Sequence, residues 1–134
     1  MSYLVDTSAL TRLRSAAVAQ RLRALDAAGL ARAAITDLEI GFSASNEREW
    51  DKLIAALGVF DPVEVVPDDF VRALALQRRL AKAGLKGRKV PDLLVAAVAG
   101  ARSLTVLHYD ADFDHIRAVT GQPTEWVVPS GTID

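Results

Sequence analysis

The sequence predicts an α/β domain whose parallel sheet, of about four or five strands, is covered by helices on both faces. Two observations support this. Short runs of apolar, β-prone residues alternate with stretches of helical periodicity, the pattern of crossover-connected parallel strands. The clearest such runs, residues 3–5 and 103–109, each lead into a carboxylate, Asp6 and Asp110. That is the place where open α/β sheets bind ligands.

The elements follow in order. Leu10, Leu13, Ala17, Leu22 and Leu25 give helical spacing over 9–26, as one helix or two short ones, with Ser8 as its cap and an end near Gly29. Residues 30–36 suit a short strand, and Thr36 or Asp37 suits the cap of a helix carrying Glu39 in its first turn, where the helix dipole favours an acid. Over 47–58, Trp50, Leu53, Ile54 and Leu57 share one side and are assigned to the core. Residues 60–66 read as a short strand or extended connection. Asp68 or Asp69 then caps a long basic helix over 70–83, with Phe70, Leu74, Leu76, Leu80 and Ala83 inward. A basic, glycine-bearing loop spans 84–89. Val90-Pro91-Asp92 opens a helix that is apolar nearly all round to Ala101, and so buried. Residues 112–120 form a short helix ended by Gly121, and 125–128 a last strand.

The bulk properties narrow the function. A chain of 134 residues, 51% hydrophobic and 25% charged, suits one folded domain over residues 1–134 rather than a disordered polymer. With no cysteine there is no disulfide framework, thiolate nucleophile or zinc–cysteine site, which fits a cytoplasmic setting. The longest apolar stretch, residues 93–101, is too short to cross a bilayer, and the first residues lack the basic region of a signal peptide. The net charge of −1 hides segregation. Residues 71–91 hold seven bases (Arg72, Arg78, Arg79, Lys82, Lys86, Arg88 and Lys89) and no acid, while acids gather at 37–51, 61–69 and 110–114. Separate basic and acidic fields suit an anionic polymer and a cation held at different places.

Right-handed crossovers bring every strand's carboxyl end to one edge of the sheet. Asp6, Glu39, Asp92, Asp110 and Asp112 can therefore converge although distant in sequence. Acids that close raise one another's pKa, and a divalent cation relieves the repulsion. Oxygen-only ligands favour a hard ion, Mg²⁺ or Mn²⁺. His108 and His115 lack ligand-like spacing and are assigned structural roles. Neither Thr7 nor Ser8 has an evident base to make it a nucleophile. A hard cation beside a basic helix suits phosphate chemistry, through water activation and charge stabilisation.

The blocks Leu4-Val5-Asp6-Thr7-Ser8-Ala9-Leu10, Ile35-Thr36-Asp37-Leu38-Glu39-Ile40-Gly41, Pro91-Asp92-Leu93-Leu94-Val95-Ala96-Ala97-Val98-Ala99 and Leu107-His108-Tyr109-Asp110-Ala111-Asp112-Phe113 run in that order through most of the chain. In that order the set resembles PIN-domain proteins, and more narrowly VapC-type ribonuclease toxins of bacterial toxin–antitoxin pairs. The resemblance implies a single PIN-like domain, a Mg²⁺- or Mn²⁺-dependent endoribonuclease, a homodimer, and neutralisation by a cognate VapB-type antitoxin. It assigns Asp6, Glu39, Asp92 and Asp110 to the acidic quartet, Asp112 to a frequent fifth acid, and Ser8 to support of the first. Either Asp110 or Asp112, or both, can supply the last metal-binding acid.

Two other classes fit the residues less well. An aspartyl phosphotransferase needs a second Asp two residues after the first, where this chain has Ser8. A catalytically inactive PIN-like module binding RNA or protein has no use for mutually repelling acids. In the nuclease reading Arg78, Arg79, Lys82, Lys86, Arg88 and Lys89 hold RNA phosphates, a contact that positions without specifying. RNA affinity should then fall steeply with salt when binding is followed by fluorescence anisotropy, and a flat salt profile would contradict that assignment.

Overall fold

The computed structural model describes residues 2–85 and 89–134. The chain enters through β1 (Tyr3–Val5), followed by α1 (Thr7–Leu10) and α2 (Ala16–Leu25), the latter capped by the Ser15 hydroxyl accepting from the Val18 N–H. A 3₁₀ turn over Asp26–Ala28 and Gly29 at φ 92° reverse the chain into β2 (Leu30–Ala33). Then come α3 (Ala34–Phe42), α4 (Glu47–Ala56), β3 (Asp61–Val63) and α5 (Pro67–Lys82). The described residues end with α6 (Val90–Ala101), β4 (Thr105–His108), α7 (Asp112–Thr120) and β5 (Thr124–Trp126).

All five strands are parallel, in the order β3-β2-β1-β4-β5. The chain winds outward from β1 to β3, then returns to place β4 on the other side of β1. The carboxyl ends of β1 and β4 thus flank the switch point of the sheet, where a crevice opens. Alternation along the strands divides the core between two faces. Leu4 and Val106 join Leu76, Leu80, Val95, Val98, Phe113 and Ile116 on one side. Val5 and Leu107 join Leu10, Val18, Leu22, Ile40, Leu57 and Phe60 on the other.

Several local expectations are corrected. Asp6, rather than Ser8, is the N-cap of α1, accepting from the Ser8 N–H. Helix α3 starts at Ala34 without a side-chain cap, so Glu39 falls in its second turn. This earlier start lets Ile35 reach one core and Ile40 the other. Thr36 is buried, and Asp37 pairs instead with Arg32 at 2.9 Å. Trp50 is 46% exposed, lying across Gly41, where an added Cβ would approach its Nε1 to 2.6 Å. Helix α5 begins at Pro67 and buries the stripe Asp69, Leu76 and Leu80, packing Ala73 beside them. Phe70 and Leu74 lie one step round the helix and are exposed, as is Ala83.

Asp69 does not cap α5 from outside; it reaches back from the first turn to the Val66 N–H at 2.8 Å. Wholly buried, it also receives both terminal nitrogens of Arg102, at 2.9 and 3.0 Å. Arg102 donates further to the carbonyls of Val98 and Glu64, tying α5, α6 and the segment after β3 together. The Arg102 hydrogen bond, outweighing burial, holds the Asp69 carboxyl below its ordinary value of 3.8. Arg102→Ala leaves that carboxylate buried and unpaired, and is expected to cost about 3 kcal/mol in urea denaturation. The contribution is present above the unfolded value and lost as pH falls through the lowered one, so the wild-type advantage should shrink below about pH 4.

Candidate metal centre

The site is assembled at the switch point. The backbone N–H of Asp6 donates to the Leu107 carbonyl at 2.9 Å, continuing the β1–β4 ladder by one residue and bringing its carboxylate to the crevice. Asp6 Oδ2 then accepts from the Ser8 N–H (3.0 Å) and the Ser8 hydroxyl (2.6 Å), while that hydroxyl accepts from the Tyr109 N–H at 2.9 Å. Ser8 thus ties the ends of β1 and β4 together through one oxygen. Glu39, presented by α3, accepts from the Thr7 hydroxyl at 2.8 Å. Asp92 stands in the first turn of the buried helix α6.

Asp110 leaves β4 on a bend held by His108, whose Nδ1 accepts the Asp110 N–H at 3.1 Å. The imidazole is wholly buried between Phe113 and Trp126, and burial lowers its pKa to about 4, so it is a neutral acceptor. Asp110 itself accepts from the Asp112 N–H and from Lys89 Nζ, both at 2.9 Å. His115 is exposed on α7, and Asp114, also exposed, accepts from Trp126 Nε1.

Asp6, Thr7, Ser8, Glu39, Asp92 and Asp110 share one polar cleft of about 430 Å³, with Arg12, Lys89 and Tyr109 at its walls. One oxygen each of Asp92, Asp110 and Asp112 lies within 4.8 Å of the others. Burial and the neighbouring charges of Asp6 and Asp110 push Asp92 up to about 7. Burial likewise raises Asp6, against the two Ser8 hydrogen bonds. Burial also acts on Asp110, but the Asp112 N–H and Lys89 outweigh it and hold that carboxyl low. The buried oxygens Asp6 Oδ1 and Asp92 Oδ2 have no hydrogen-bond partner among the described residues. Unpartnered, mutually repelling oxygens with no nitrogen or sulfur donor among them fit a hard divalent cation.

The PIN domain family model matches residues 3–119. The chain belongs to the PIN-domain family. Ribonuclease VapC51 of Mycobacterium tuberculosis is 53% identical across 100% of this chain and 98% of its own. Ribonuclease VapC21 of the same species is 44% identical across 97% and 96%. The fold matches VapBC2 from Rickettsia felis bound to a promoter DNA fragment, with a TM-score of 0.80 at 19% identity, over 94% of this chain and 98% of that one. It also matches VapBC-5 from Mycobacterium tuberculosis, with a TM-score of 0.66 at 25% identity over 93% and 96%.

The PIN-domain cleft gathers Asp6, Glu39, Asp92 and Asp110 with Ser8, and Asp112 adjoins it. Among the basic residues singled out in the sequence, Lys89 reaches into the cleft. Arg78, Arg79 and Lys82 lie on α5, outside the cleft lining, with Arg79 donating to the Val119 carbonyl. Lys86 and Arg88 lie outside the described residues. Sequence reasoning passed over Arg12, Tyr109 and the Thr7–Glu39 bond. For Tyr109 the signal was its place beside Asp110; Arg12 had none beyond helical spacing from Ser8. No helix among the described residues is long and apolar enough to cross a membrane.

Asp92 gives a pH test of this electrostatics. With its folded pKa near 7 against an ordinary 3.8, the folded protein holds a proton that the unfolded chain has lost across that window. Stability therefore falls as pH rises from about 4 to 7, and stays reduced above. In EDTA, Asp92→Asn should be more stable than wild type by roughly 1–3 kcal/mol at pH 8. That gain should vanish near pH 4, as read by thermal denaturation.

Proposed function

We propose that this PIN-domain protein is a Mg²⁺- or Mn²⁺-dependent endoribonuclease toxin neutralised by a VapB-type antitoxin. The observation that carries the reading is the convergence of Asp6, Glu39, Asp92 and Asp110 on one polar cleft, where among the described residues one buried oxygen each of Asp6 and Asp92 lacks a partner. Similarity to the VapC ribonucleases across the whole chain supports RNA as substrate. Similarity to VapBC proteins supports the antitoxin partner.

Asp6, Asp92, Asp110 and Asp112 are the residues that would hold the cation. A divalent ion there supplies a lowered pKa for water and neutralises charge developing on the phosphate. The chain's own part is positioning. Ser8 fixes the Asp6 rotamer, Thr7 orients Glu39, and Lys89 keeps Asp110 ionised. Glu39, held by the Thr7 hydroxyl, is assigned to orienting water at the reacting phosphate. Arg78, Arg79, Lys82, Lys86, Arg88 and Lys89 are assigned to RNA phosphates by charge. Residues 1–134 act as one domain in the cytoplasm, as a homodimer. Exposed Leu38 and Phe42 on α3, and Phe70, Leu74 and Val90 around α5 and α6, offer apolar surface for protein partners.

Purified protein free of antitoxin should cut RNA into discrete fragments with Mg²⁺ or Mn²⁺ and not with EDTA. Asp6→Ala should lower the rate by at least about a hundredfold. RNA binding without cleavage under any divalent ion would instead identify an inactive binding module.

A further inference from the structure

Arg12 borders two depressions: the acidic cleft and an adjoining one of about 560 Å³ lined by Arg14, Ser15, Thr132 and Ile133. Among the described residues it alone lines both. Its guanidinium is fixed on three sides. Nη1 donates to the Ser8 carbonyl and Nε to the main-chain oxygen of Asp134, each at 2.7 Å, and the group lies 4.8 Å over the Tyr109 ring. Tyr109 in turn accepts from the N–H groups of Gly131 (2.9 Å) and Ile133 (3.3 Å) and donates to the Ile133 carbonyl at 2.8 Å. Arg12 makes no ion pair with a side-chain carboxylate among the described residues, and its Nη2 has no hydrogen-bond partner among them.

An arginine held this firmly beside a cleft of acids, with no side-chain carboxylate paired to it among the described residues and Nη2 left to donate, suits an anionic ligand. Its order is already established by the fold, so little entropy is lost when a phosphate arrives. The acids repel a polyanion, and a fixed cation at the rim offsets that at one phosphate. Resting on the ribonuclease reading, we propose that Arg12 grips a phosphodiester flanking the cleaved bond, where single-stranded RNA passes from the acidic cleft into the second depression. Tyr109 and the segment 131–134 are positioning elements for it. The second depression, with Arg14 on its wall, takes the next nucleotide.

The test is binding of a single-stranded oligoribonucleotide in EDTA across a salt series, beside steady-state cleavage with Mn²⁺. Arg12→Gln should weaken binding about tenfold and flatten the log–log salt slope by about 0.7, the loss of one phosphate contact on a single strand. In cleavage it should raise KM more than it lowers kcat. Arg12→Lys should keep the slope while restoring affinity only partly, because the planar fork is lost. Tyr109→Phe, which releases the tail but keeps the ring, should weaken binding less and leave the slope unchanged. Wild-type affinity and slope in Arg12→Gln, or a loss that only tracks a lower melting temperature, would overturn the subsite and leave the nuclease standing. Wild-type protein that neither binds nor cuts RNA would bring down the ribonuclease reading itself.

Discussion

Carboxylates crowded at the switch point of a parallel sheet are the constraint on which the site depends. The strand order places β1 and β4 side by side with their crossovers leaving in opposite directions, so Asp6 and Asp110 face the same crevice. Helix α6, apolar on nearly every side, is drawn into the core and brings Asp92 with it. Burial that stabilises the sheet thereby works against the acids, whose charged forms lose solvent while gaining like-charged neighbours. A fold that used these residues only as caps could satisfy their oxygens locally. Here Asp6 Oδ1 and Asp92 Oδ2 remain without hydrogen-bond partners among the described residues.

The surroundings limit that repulsion without abolishing it. Ser8 spends its single hydroxyl on Asp6 and on the main chain of Tyr109, so one side chain sets both the rotamer of the first acid and the spacing of the two central strands. Lys89 places an ammonium on Asp110, and that hydrogen bond raises its own pKa despite partial desolvation. His108, kept neutral by burial, serves the backbone rather than the chemistry. Asymmetry follows: Asp110 is held ionised while Asp92 is driven toward the neutral form, although both line one cleft. Burial acts on both acids, and the hydrogen bonds that Asp110 alone receives set them apart.

Much of this was legible in the sequence because it depends on periodicity and order. Apolar runs ending in Asp6 and Asp110 located the central strands, and the all-round apolar helix after Pro91 located the buried one. The misplaced details share a physical cause. Helix starts were assigned to polar caps, yet α3 begins uncapped because its two isoleucines must reach opposite cores. Phe70, Leu74 and Trp50 were assigned to the core by apolar spacing along their helices, while the buried stripe of α5 runs through Asp69, whose buried carboxylate is paired with Arg102. Arg12 was invisible for a different reason. Its partners at Tyr109 and Asp134 are about a hundred residues away, beyond any local pattern.

The most direct test of the central claim is a calorimetric titration of Mn²⁺ into the metal-free protein, repeated in buffers of differing ionisation enthalpy. If the cleft is a set of crowded acids awaiting a cation, binding near pH 6 should release about one proton, and binding near pH 8.5 almost none. Binding at pH 6 without proton release, or no binding at either pH, would contradict it.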